Sequence, residues 1–301
     1  MQFIMWGNFY NLSKKNNKMK DNRKTCLITG SSSGIGKETA IELSRKGYRV
    51  IMLCRDSEKS RKAWDEVKEL VGDNDIDLVY ADLSSLESIR KAVVEIKSKY
   101  NIIDVLINNA GVFKRKFTLS EEGIEMNLAV NFLAPFLLTN LLLPLLKKSD
   151  SARIINLTSE LYKNGKVDFE KDISNKNYNG NKAYADTKLL VILFTYELAR
   201  ILKDENITVN CVHPGVVQTD VFREFPKWVN RMLGLFISKP EDGAKSSIYL
   251  ASSNDVKDIS GKYFSKMKMK ETTEITKRED LAKNVWNYGC KLTGLPDCAI
   301  E

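Results

Sequence analysis

From residue 25 onward the chain alternates short runs of β-branched and apolar residues with longer stretches of helical periodicity. Short apolar runs bounded by turn residues predict strands, and apolar residues spaced three or four apart predict amphipathic helices. Strands that alternate with helices are typical of βαβ units, which build a parallel sheet with helices on both faces. The predicted strands are Thr25–Thr29, Arg49–Leu53, Ile76–Tyr80, Val105–Asn108, Ile154–Leu157, Thr208–Val212 and Lys262–Phe264.

The predicted helices fill the intervals between these strands, and no repeat or domain-sized linker interrupts the alternation. We therefore expect a single α/β domain over residues 24–301, a doubly wound parallel sheet with helices on both faces. An exposed strand or loop is predicted beyond Lys266. The helices are predicted near Gly36–Lys46, Glu58–Val71, Leu86–Tyr100, Met126–Lys147, Ala183–Leu202 and Glu241–Ala251, with a short helix at Leu281–Thr293.

One stretch, Met126–Leu146, carries no charge over 21 residues and is long enough to cross a bilayer. Its asparagines, its threonine and its two prolines argue against such a span. The motifs on its two sides also have to meet in one site, which a membrane between them would prevent. We therefore predict a buried helix here and no transmembrane segment.

Composition and charge fit a soluble globular protein, with 43% hydrophobic and 29% charged residues. The net charge of +8 is dispersed outside residues 14–24, and no groove-reading motif accompanies it, so no nucleic-acid partner is expected. Residues 1–23 are interpreted as a basic, disordered N-terminal extension. Their apolar start, "MQFIMWGNFY", is too short to span a bilayer and unlike a secretory signal, but contact with a membrane surface stays open.

The five cysteines are odd in number and widely scattered, and three of them lie in apolar strand-like runs. No metal-ligand spacing occurs and the chain has one histidine, so no metal site is predicted. These features favour a reducing compartment. We expect the protein in the cytoplasm or at the periphery of an intracellular membrane.

The segment "TGSSSGIG", residues 29–36, places three glycines where the first strand becomes a helix. Gly30 would close the strand with a tight turn, Gly34 would let the backbone approach a phosphate, and Gly36 would let the helix pack closely. The N-terminus of that helix would then face a pyrophosphate. The spacing G-x-x-x-G-x-G differs from the usual G-x-G-x-x-G, so by itself it also allows a simple turn.

Further motifs accompany the glycine loop in order: "NNAG" at residues 108–111, Ser159, and "YADTK" at residues 184–188. In this combination the chain resembles the short-chain dehydrogenase/reductase family from residue 24 to about residue 295. Segments such as "INNAGV", "RIINLTS" and "HPGVVQTD" resemble the retinol dehydrogenase-like branch of that family. The resemblance implies a Rossmann-like fold and an oxidoreductase that transfers a hydride between a nicotinamide cofactor and a carbonyl or alcohol.

Tyr184 and Lys188 are four residues apart and would share one face of a helix. A free tyrosine titrates near about 10, and an adjacent ammonium group favours the phenolate and lowers that pKa. Such a tyrosine can act as acid or base beside the oxygen of a carbonyl that accepts a hydride. By the resemblance, Lys188 also holds the nicotinamide ribose.

Ser159 ends a strand at the carboxyl edge of the sheet, where its hydroxyl could stabilise a developing alkoxide. Thr158 is the competing hydroxyl, since side chains alternate along a strand and only one of the two should face the substrate. The resemblance assigns Ser159, so Ser159 and Tyr184 are the predicted substrate contacts. It also adds Asn131 to the catalytic set, holding a water that relays protons to Lys188. An internal amide satisfied by neighbouring backbone is the alternative for Asn131.

Cofactor choice is predicted from the end of the second strand. Arg55 offers a planar fork suited to a 2′-phosphate, and Lys37 could add positive charge, so NADP(H) is favoured. Asp56 could instead accept hydrogen bonds from the ribose, which leaves NAD(H) open. Including residues that the resemblance implies, the predicted cofactor set is Gly30, Ser31, Ser32, Ser33, Gly34, Ile35, Gly36, Arg55, Asp82, Asn109, Tyr184, Lys188 and Thr219.

The segment 221–237, "VFREFPKWVNRMLGLFI", is aromatic and aliphatic with scattered basic residues. The resemblance implies that it covers the substrate, and an apolar cover suits a lipophilic carbonyl or alcohol such as a retinoid, a steroid or an aldehyde. Packing on the core or on a partner subunit is the alternative. The single histidine, His213, is interpreted as structural.

The resemblance also implies a homodimer through the two long helices, Met126–Lys147 and Ala183–Leu202. Two departures from the family are a threonine at Thr187, where serine is common, and no hydrophobic anchor of about twenty residues. A non-catalytic, nucleotide-sensing regulator on the same fold is the rival hypothesis. Loss of Tyr184 or Lys188 would have favoured that regulator, and both residues are present.

Overall fold

The computed structural model describes residues 23–72, 76–169, 177–215 and 239–296. Its centre is one eight-stranded sheet in the order β3-β2-β1-β4-β5-β6-β7-β8. All neighbouring strands are parallel except β7 and β8, which are antiparallel. The strands are β1 Thr25–Thr29, β2 Arg49–Cys54, β3 Ile76–Tyr80, β4 Val105–Asn108, β5 Ala152–Leu157, β6 Ile207–His213, β7 Lys262–Ser265 and β8 Lys268–Lys270.

Seven helices accompany the sheet in the described part of the chain, besides short 3₁₀ turns. They begin and end close to the predicted bounds. The helix with the "YADTK" motif begins three residues earlier than predicted, because the Asn179 side chain caps it by accepting a hydrogen bond from Lys182 N at 3.1 Å. The helices are α1 Gly34–Arg45, α2 Glu58–Val71, α3 Leu86–Lys99, α4 Met126–Leu146, α5 Gly180–Ile201, α6 Pro240–Ser252 and α7 Glu279–Thr293.

The sheet is covered on both faces, which confirms the predicted doubly wound α/β architecture. Successive side chains of a strand point to opposite faces, so Leu27 of β1 packs with α3, α4 and α5, while Ile28 packs with α1, α2 and α6. From β1 the chain continues to β2 and β3 on one side of the sheet, and from β4 it continues to β5 and β6 on the other side. The strand order therefore reverses between β1 and β4. In open α/β sheets, this crevice at the carboxyl ends of the strands is where ligands bind.

Helix α4 is the one described helix that is long and apolar enough to cross a membrane by length and composition. Inside the protein, 83% of its apolar window is buried, as the prediction of a core helix required. The helix is not uniform, because Ala129–Leu133 is a π-helical turn between α-helical segments. Such turns occur frequently at functional sites.

One feature agrees with the sequence interpretation and one departs from it: the segment beyond Lys266, predicted as an exposed strand or loop, contains the exposed strand β8. Strand β8 forms a hairpin with β7, and the two turn residues, Lys266 and Met267, have positive φ angles of 51° and 60°. Cys26, Cys54 and Cys211 are buried free thiols, but Cys290 on α7 is disulfide-bonded. The cysteines therefore do not by themselves support a reducing compartment.

Candidate active site

A cavity of about 630 Å³ lies along the carboxyl ends of β1, β2, β4, β5 and β6. It is the place that the strand order predicts for a ligand. One end is formed by the loop after β2 and the other by α5. Its lining includes these predicted site residues: Gly30, Ser32, Ser33, Gly34, Ile35, Gly36, Arg55, Asp82, Asn109, Ser159, Tyr184 and Lys188.

The glycine loop has the geometry that the spacing suggested. Gly34 has a φ of +55°, a backbone conformation that favours glycine. A Cβ atom on Gly36 would lie 2.4 Å from Asn109 Nδ2 and 2.5 Å from Gly30 O, so no other residue fits there without displacing the turn. The loop is therefore built for close approach of backbone to backbone, rather than for flexibility.

Ser31 is the loop residue whose side chain does not face the cavity. It is fully buried, and its hydroxyl donates to Ile28 O at 3.1 Å and contacts Cys54 Sγ at 3.3 Å. The Ser31 side chain therefore lies outside the cavity, and the place of Ser31 in the cofactor set stays a prediction. That side chain holds the loop against β1 and β2.

Asn109 links the two loops that border the crevice. Its Nδ2 donates to Thr29 O at 2.8 Å and to Gly30 O at 3.3 Å, which fixes the end of β4 to the end of β1. The neighbouring Ala110 N donates to Thr29 Oγ1 at 2.9 Å. The "NNAG" motif thus sets the shape of the cavity beside the glycine loop.

Tyr184 and Lys188 lie on the same face of α5, as their spacing predicted. Lys188 Nζ is 5.5 Å from the centroid of the Tyr184 ring and donates to Leu157 O at 3.1 Å. Both side chains are buried, with 8% and 4% exposure. Burial raises the pKa of Tyr184 to about 12, against which a hydrogen bond with Ser159 acts. Burial also lowers the pKa of Lys188 to about 8.

The spacing of the two residues predicted that Lys188 lowers the pKa of Tyr184. In the protein the pKa of Tyr184 is raised instead, because burial is the largest effect on it. Burial disfavours the ionised phenol, and the hydrogen bond with Ser159 offsets only part of this effect. The same burial disfavours the Lys188 ammonium. Tyr184 is consequently a phenol at neutral pH, the form that can donate a proton.

The two hydroxyls at the end of β5 differ in their surroundings. Thr158 is buried and its Oγ1 donates to Lys188 O at 2.9 Å, so it anchors α5 to the sheet. Ser159 is half-buried, caps the following 3₁₀ turn through Leu161 N at 3.3 Å, and is a hydrogen-bond partner of Tyr184. Of the two residues, Ser159 is therefore the one whose hydroxyl lies beside Tyr184.

Asn131 lies in the π-helical turn of α4 and is 2% exposed. Its Oδ1 accepts from Val112 N at 2.8 Å and its Nδ2 donates to Val112 O at 2.9 Å, with a longer contact of 3.3 Å to Thr187 Oγ1. A Cβ atom on Gly111 would lie 3.3 Å from Asn131 Oδ1 and 3.5 Å from Lys188 Nζ. The amide thus ties the "NNAG" segment to α4 directly beside the lysine.

The charged residues near the end of β2 are arranged differently from the prediction. Asp56 does not line the cavity. Its Oδ1 accepts a hydrogen bond from Arg61 at 2.7 Å. Lys37 forms an ion pair with Glu66 on α2 and does not line the cavity. Lys59, on the first turn of α2, does line it, together with Arg55. Sequence reasoning missed Lys59.

Phe113 and His213 also line the cavity, although neither was predicted as a site residue. Phe113 is buried, and its ring centroid is 4.6 Å from that of Tyr184. Its place directly after "NNAGV" was a signal that could have found it. His213 ends β6 and also lines the cavity, and its buried Nδ1 has no hydrogen-bond partner among the described residues. Burial lowers the pKa of His213, so it is neutral at pH 7.

Thr219 and the proposed substrate cover, residues 221–237, lie outside the described residues.

The residues present fit a dinucleotide cofactor. Within the described chain no side chain caps the N-terminus of α1, and its first turn contains no acidic residue, so its peptide N–H groups and positive dipole end are available to a phosphate. The close fit of Gly36 against Asn109 and Gly30 keeps that helix end next to the crevice. Arg55 and Lys59 supply positive charge at one end of the cavity, and Tyr184 and Lys188 supply proton-transfer groups at the other.

Comparison with known proteins identifies the family of the chain. A family model for short chain dehydrogenases matches residues 24–230. The chain is 41% identical to retinol dehydrogenase 14 of Mus musculus over 90% of this chain and 86% of that protein. It is 39% identical to retinol dehydrogenase 13 of Homo sapiens over 90% and 85% of the two chains.

A solved structure of a short chain dehydrogenase from Shigella flexneri, complexed with NADP, superposes with a TM-score of 0.65 at 25% identity. The match covers 81% of this chain and 97% of that one. The family match and the sheet order agree with one another. The chain therefore belongs to the short-chain dehydrogenase/reductase family, in its retinol dehydrogenase-like branch.

Proposed function

We propose that the protein is an NADP(H)-dependent oxidoreductase that interconverts a lipophilic carbonyl compound and its alcohol, with Tyr184 as the acid and base. The observation that carries the proposal is the meeting of Tyr184, Lys188 and Ser159 at one end of the cavity that the glycine loop borders. Family membership supports hydride transfer as the reaction, and the site, the substrate and the cofactor preference are argued from the residues.

The chemistry assigned to the chain is proton transfer and charge stabilisation. When bound, the nicotinamide cofactor supplies the hydride to a carbonyl carbon or accepts it from an alcohol. In the reductive direction, Tyr184 Oη donates its proton to the carbonyl oxygen, and the hydroxyl of Ser159 donates a hydrogen bond to that oxygen as negative charge develops. The high pKa of Tyr184 keeps the phenol protonated at neutral pH.

Lys188 would support this step by its charge. An ammonium group beside a tyrosinate stabilises the anion that remains after proton transfer. The Thr158 hydroxyl donates to Lys188 O and so fixes the backbone of the lysine. Asn131 donates to Val112 O and fixes the segment next to Gly111, which lies beside Lys188 Nζ. Both contacts keep the lysine in place. In the oxidative direction the same groups act in reverse, with Tyr184 accepting the proton of the alcohol.

The preference for NADP(H) rests on Arg55 and Lys59. Arg55 is exposed at the cavity, and its planar guanidinium can bind a phosphate through two parallel hydrogen bonds. Asp56, the residue that would favour NAD(H), is engaged by Arg61. The NADP complex of the related Shigella flexneri structure supports the same choice.

The lipophilic substrate class rests on the wall beside Tyr184. Phe113 packs against the proposed proton donor, and Met126 and Val130 add apolar surface to the lining of the same cavity. The names of the relatives, retinol dehydrogenases 13 and 14, point to the same class of compound. Retinoids, steroids and long aldehydes are the candidates.

An activity screen of the purified protein tests the proposal. NADPH and NADH oxidation is followed in the presence of retinal, steroid ketones and aliphatic aldehydes, with Tyr184→Phe as the matched inactive variant. We expect turnover of at least one lipophilic carbonyl with NADPH that Tyr184→Phe loses. Tight NADPH binding without turnover of any compound would instead support the nucleotide-sensing regulator.

A further inference from the structure

His213, the single histidine of the chain, ends β6 and lines the cavity that Tyr184 and Lys188 also line. It is 9% exposed, and its Nδ1 is buried without a hydrogen-bond partner among the described residues. His213 is therefore the one residue in the described part of the chain that combines such an atom with a place on this cavity. The other buried side-chain atoms without a partner there are Asn108 Oδ1, Ser247 Oγ and Thr273 Oγ1.

A structural role for this imidazole, which the sequence favoured, requires a hydrogen-bond partner within the protein. Glu160 is the acidic group whose charge acts on His213. Its carboxylate accepts from Tyr263 Oη at 2.9 Å and pairs with Lys163 Nζ at 2.6 Å, and it forms no hydrogen bond with the imidazole. A buried polar atom without a partner lowers stability, and an apolar side chain of similar size would avoid that loss. The contacts of the described residues therefore do not explain a histidine at this position.

The chemistry of the ring narrows the choice of ligand group. Burial lowers the pKa of His213, so the imidazole is neutral at pH 7 and offers one N–H donor and one nitrogen acceptor. In the proposed reaction the substrate oxygen accepts from Tyr184 and Ser159, and these two bonds use both of its lone pairs. The imidazole is therefore available to a different polar group at this end of the cavity.

A nicotinamide cofactor brings one such group together with its reactive ring. Hydride transfer requires that ring to lie beside the carbon whose oxygen Tyr184 protonates, and the ring carries a carboxamide with an acceptor oxygen and a donor NH₂ group. We propose that His213 binds this carboxamide through a hydrogen bond and so orients the nicotinamide at the Tyr184 end of the cavity. The assignment rests on the proposed function, and it makes His213 a cofactor-binding residue instead of a structural one.

The assignment separates the two halves of the cofactor. Arg55 and Lys59 line the other end of the cavity, where the proposed 2′-phosphate site lies. A change at His213 therefore affects ligands that contain the nicotinamide. It spares 2′,5′-ADP, which has the adenosine and its phosphates but no nicotinamide.

The test is calorimetric titration of the full chain and its variants with NADP⁺ and with 2′,5′-ADP. We expect His213→Leu to weaken NADP⁺ binding by about 2- to 10-fold, the range for one hydrogen bond, and to leave 2′,5′-ADP binding unchanged. His213→Asn keeps a polar group close to the place of Nδ1 and should recover part of the NADP⁺ affinity. Without ligand, His213→Leu should unfold at the same temperature as the wild type or higher, because it removes a buried polar atom that lacks a partner.

The matched control is Ser247→Ala. Ser247 Oγ is also buried without a partner among the described residues, but Ser247 does not line the cavity. This variant should leave the affinities for both ligands unchanged.

A measurement on the wild type keeps the test decisive if His213→Leu does not fold. Because the chain has one histidine, untagged protein labelled with nitrogen-15 histidine gives the NMR signals of a single imidazole. Those signals should shift with NADP⁺ and stay in place with 2′,5′-ADP. Equal NADP⁺ affinity in the wild type and His213→Leu, parallel losses for both ligands, or imidazole signals that NADP⁺ does not move would overturn the proposal. Binding needs no turnover, so failure here is distinguishable from failure of the activity screen.

Discussion

Lys188 Nζ lies 5.5 Å from the centroid of the Tyr184 ring, with both side chains buried on one face of α5. Burial acts on the two groups in the same sense, since it raises the pKa of the tyrosine to about 12 and lowers that of the lysine to about 8. The tyrosine is therefore a phenol at neutral pH, while the lysine keeps its proton up to about pH 8. The phenol of Tyr184 can donate a proton, and Lys188 is the member of the pair whose charge changes near pH 8.

Replacing Tyr184 by Phe should abolish most activity without disturbing the fold. The substitution removes the hydroxyl and leaves the ring that packs on Phe113 at 4.6 Å. Turnover should fall by about 10² or more, the scale of a lost general acid. NADPH binding, followed by cofactor fluorescence, should persist, because the glycine loop and Arg55 are unchanged.

The control for this variant is Tyr48→Phe, which removes a hydroxyl that donates to Ala251 O at 3.2 Å on the opposite side of the sheet. It should retain turnover close to that of the wild type. A Tyr184→Phe protein that reduces carbonyls at the wild-type rate would remove Tyr184 from the mechanism.

The reductive activity should decline as the pH rises through about 8. The Lys188 ammonium loses its proton near that pH, since burial lowers its pKa to about 8. Tyr184, with a pKa of about 12, stays protonated well above it, so the tyrosine cannot cause this decline. The measurement is kcat/KM for carbonyl reduction between about pH 6 and pH 10 at saturating cofactor. A profile that stays flat across this range would show that the lysine charge is not needed.

Most of the fold could be predicted because it depends on local patterns. The strand Val105–Asn108 has the predicted bounds, since four consecutive buried residues between turn signals read clearly as a central parallel strand. Strand β8 is different. Its residues are exposed, and its pairing depends on left-handed backbone at Lys266 and Met267, which neither residue type favours.

The candidate site could be predicted where residue type alone sets the chemistry, as for Tyr184 and Lys188. It could not be predicted where tertiary contacts decide. Lys37 is next to the glycine loop in sequence, yet Glu66 of α2 holds it outside the cavity, and Lys59 lines the cavity from the same helix. Ser31 likewise lies within the loop but points into the core.

Cofactor preference should depend on Arg55 first and Lys59 second. We expect Arg55→Asp to weaken NADPH binding by about 10- to 100-fold, the range for losing hydrogen bonds to a charged group. NADH binding should be unchanged or improved. Lys59→Ala should weaken NADPH binding by a smaller factor. Dissociation constants for both cofactors, measured by calorimetry, check this order.

The matched control is Lys37→Ala, because Lys37 pairs with Glu66 and does not line the cavity. It should leave the ratio of NADPH to NADH affinity unchanged. Equal losses for both cofactors in Arg55→Asp would mean that Arg55 supports the fold. An effect of Lys37→Ala as large as that of Lys59→Ala would contradict the proposed phosphate site.

Replacing Lys188 by Met should stabilise the protein at neutral pH although it removes a proposed catalytic group. The folded state lowers the lysine pKa from 10.5 to about 8, so below pH 8 the protein keeps a buried ammonium that water would solvate better. A shift of that size corresponds to at most about 3 kcal/mol of unfolding free energy, reduced by the lost hydrogen bond to Leu157 O. Between pH 8 and pH 10.5 the folded state has released the proton while the unfolded state retains it, so wild-type stability rises and its deficit against Lys188→Met shrinks.

Urea unfolding of both proteins at about pH 7 and about pH 9.5 measures this difference, with Lys182→Met, an exposed position on α5, as the control that should change little. A Lys188→Met protein less stable than the wild type at both values would show that the lysine contributes more through its packing and hydrogen bond than its buried charge costs.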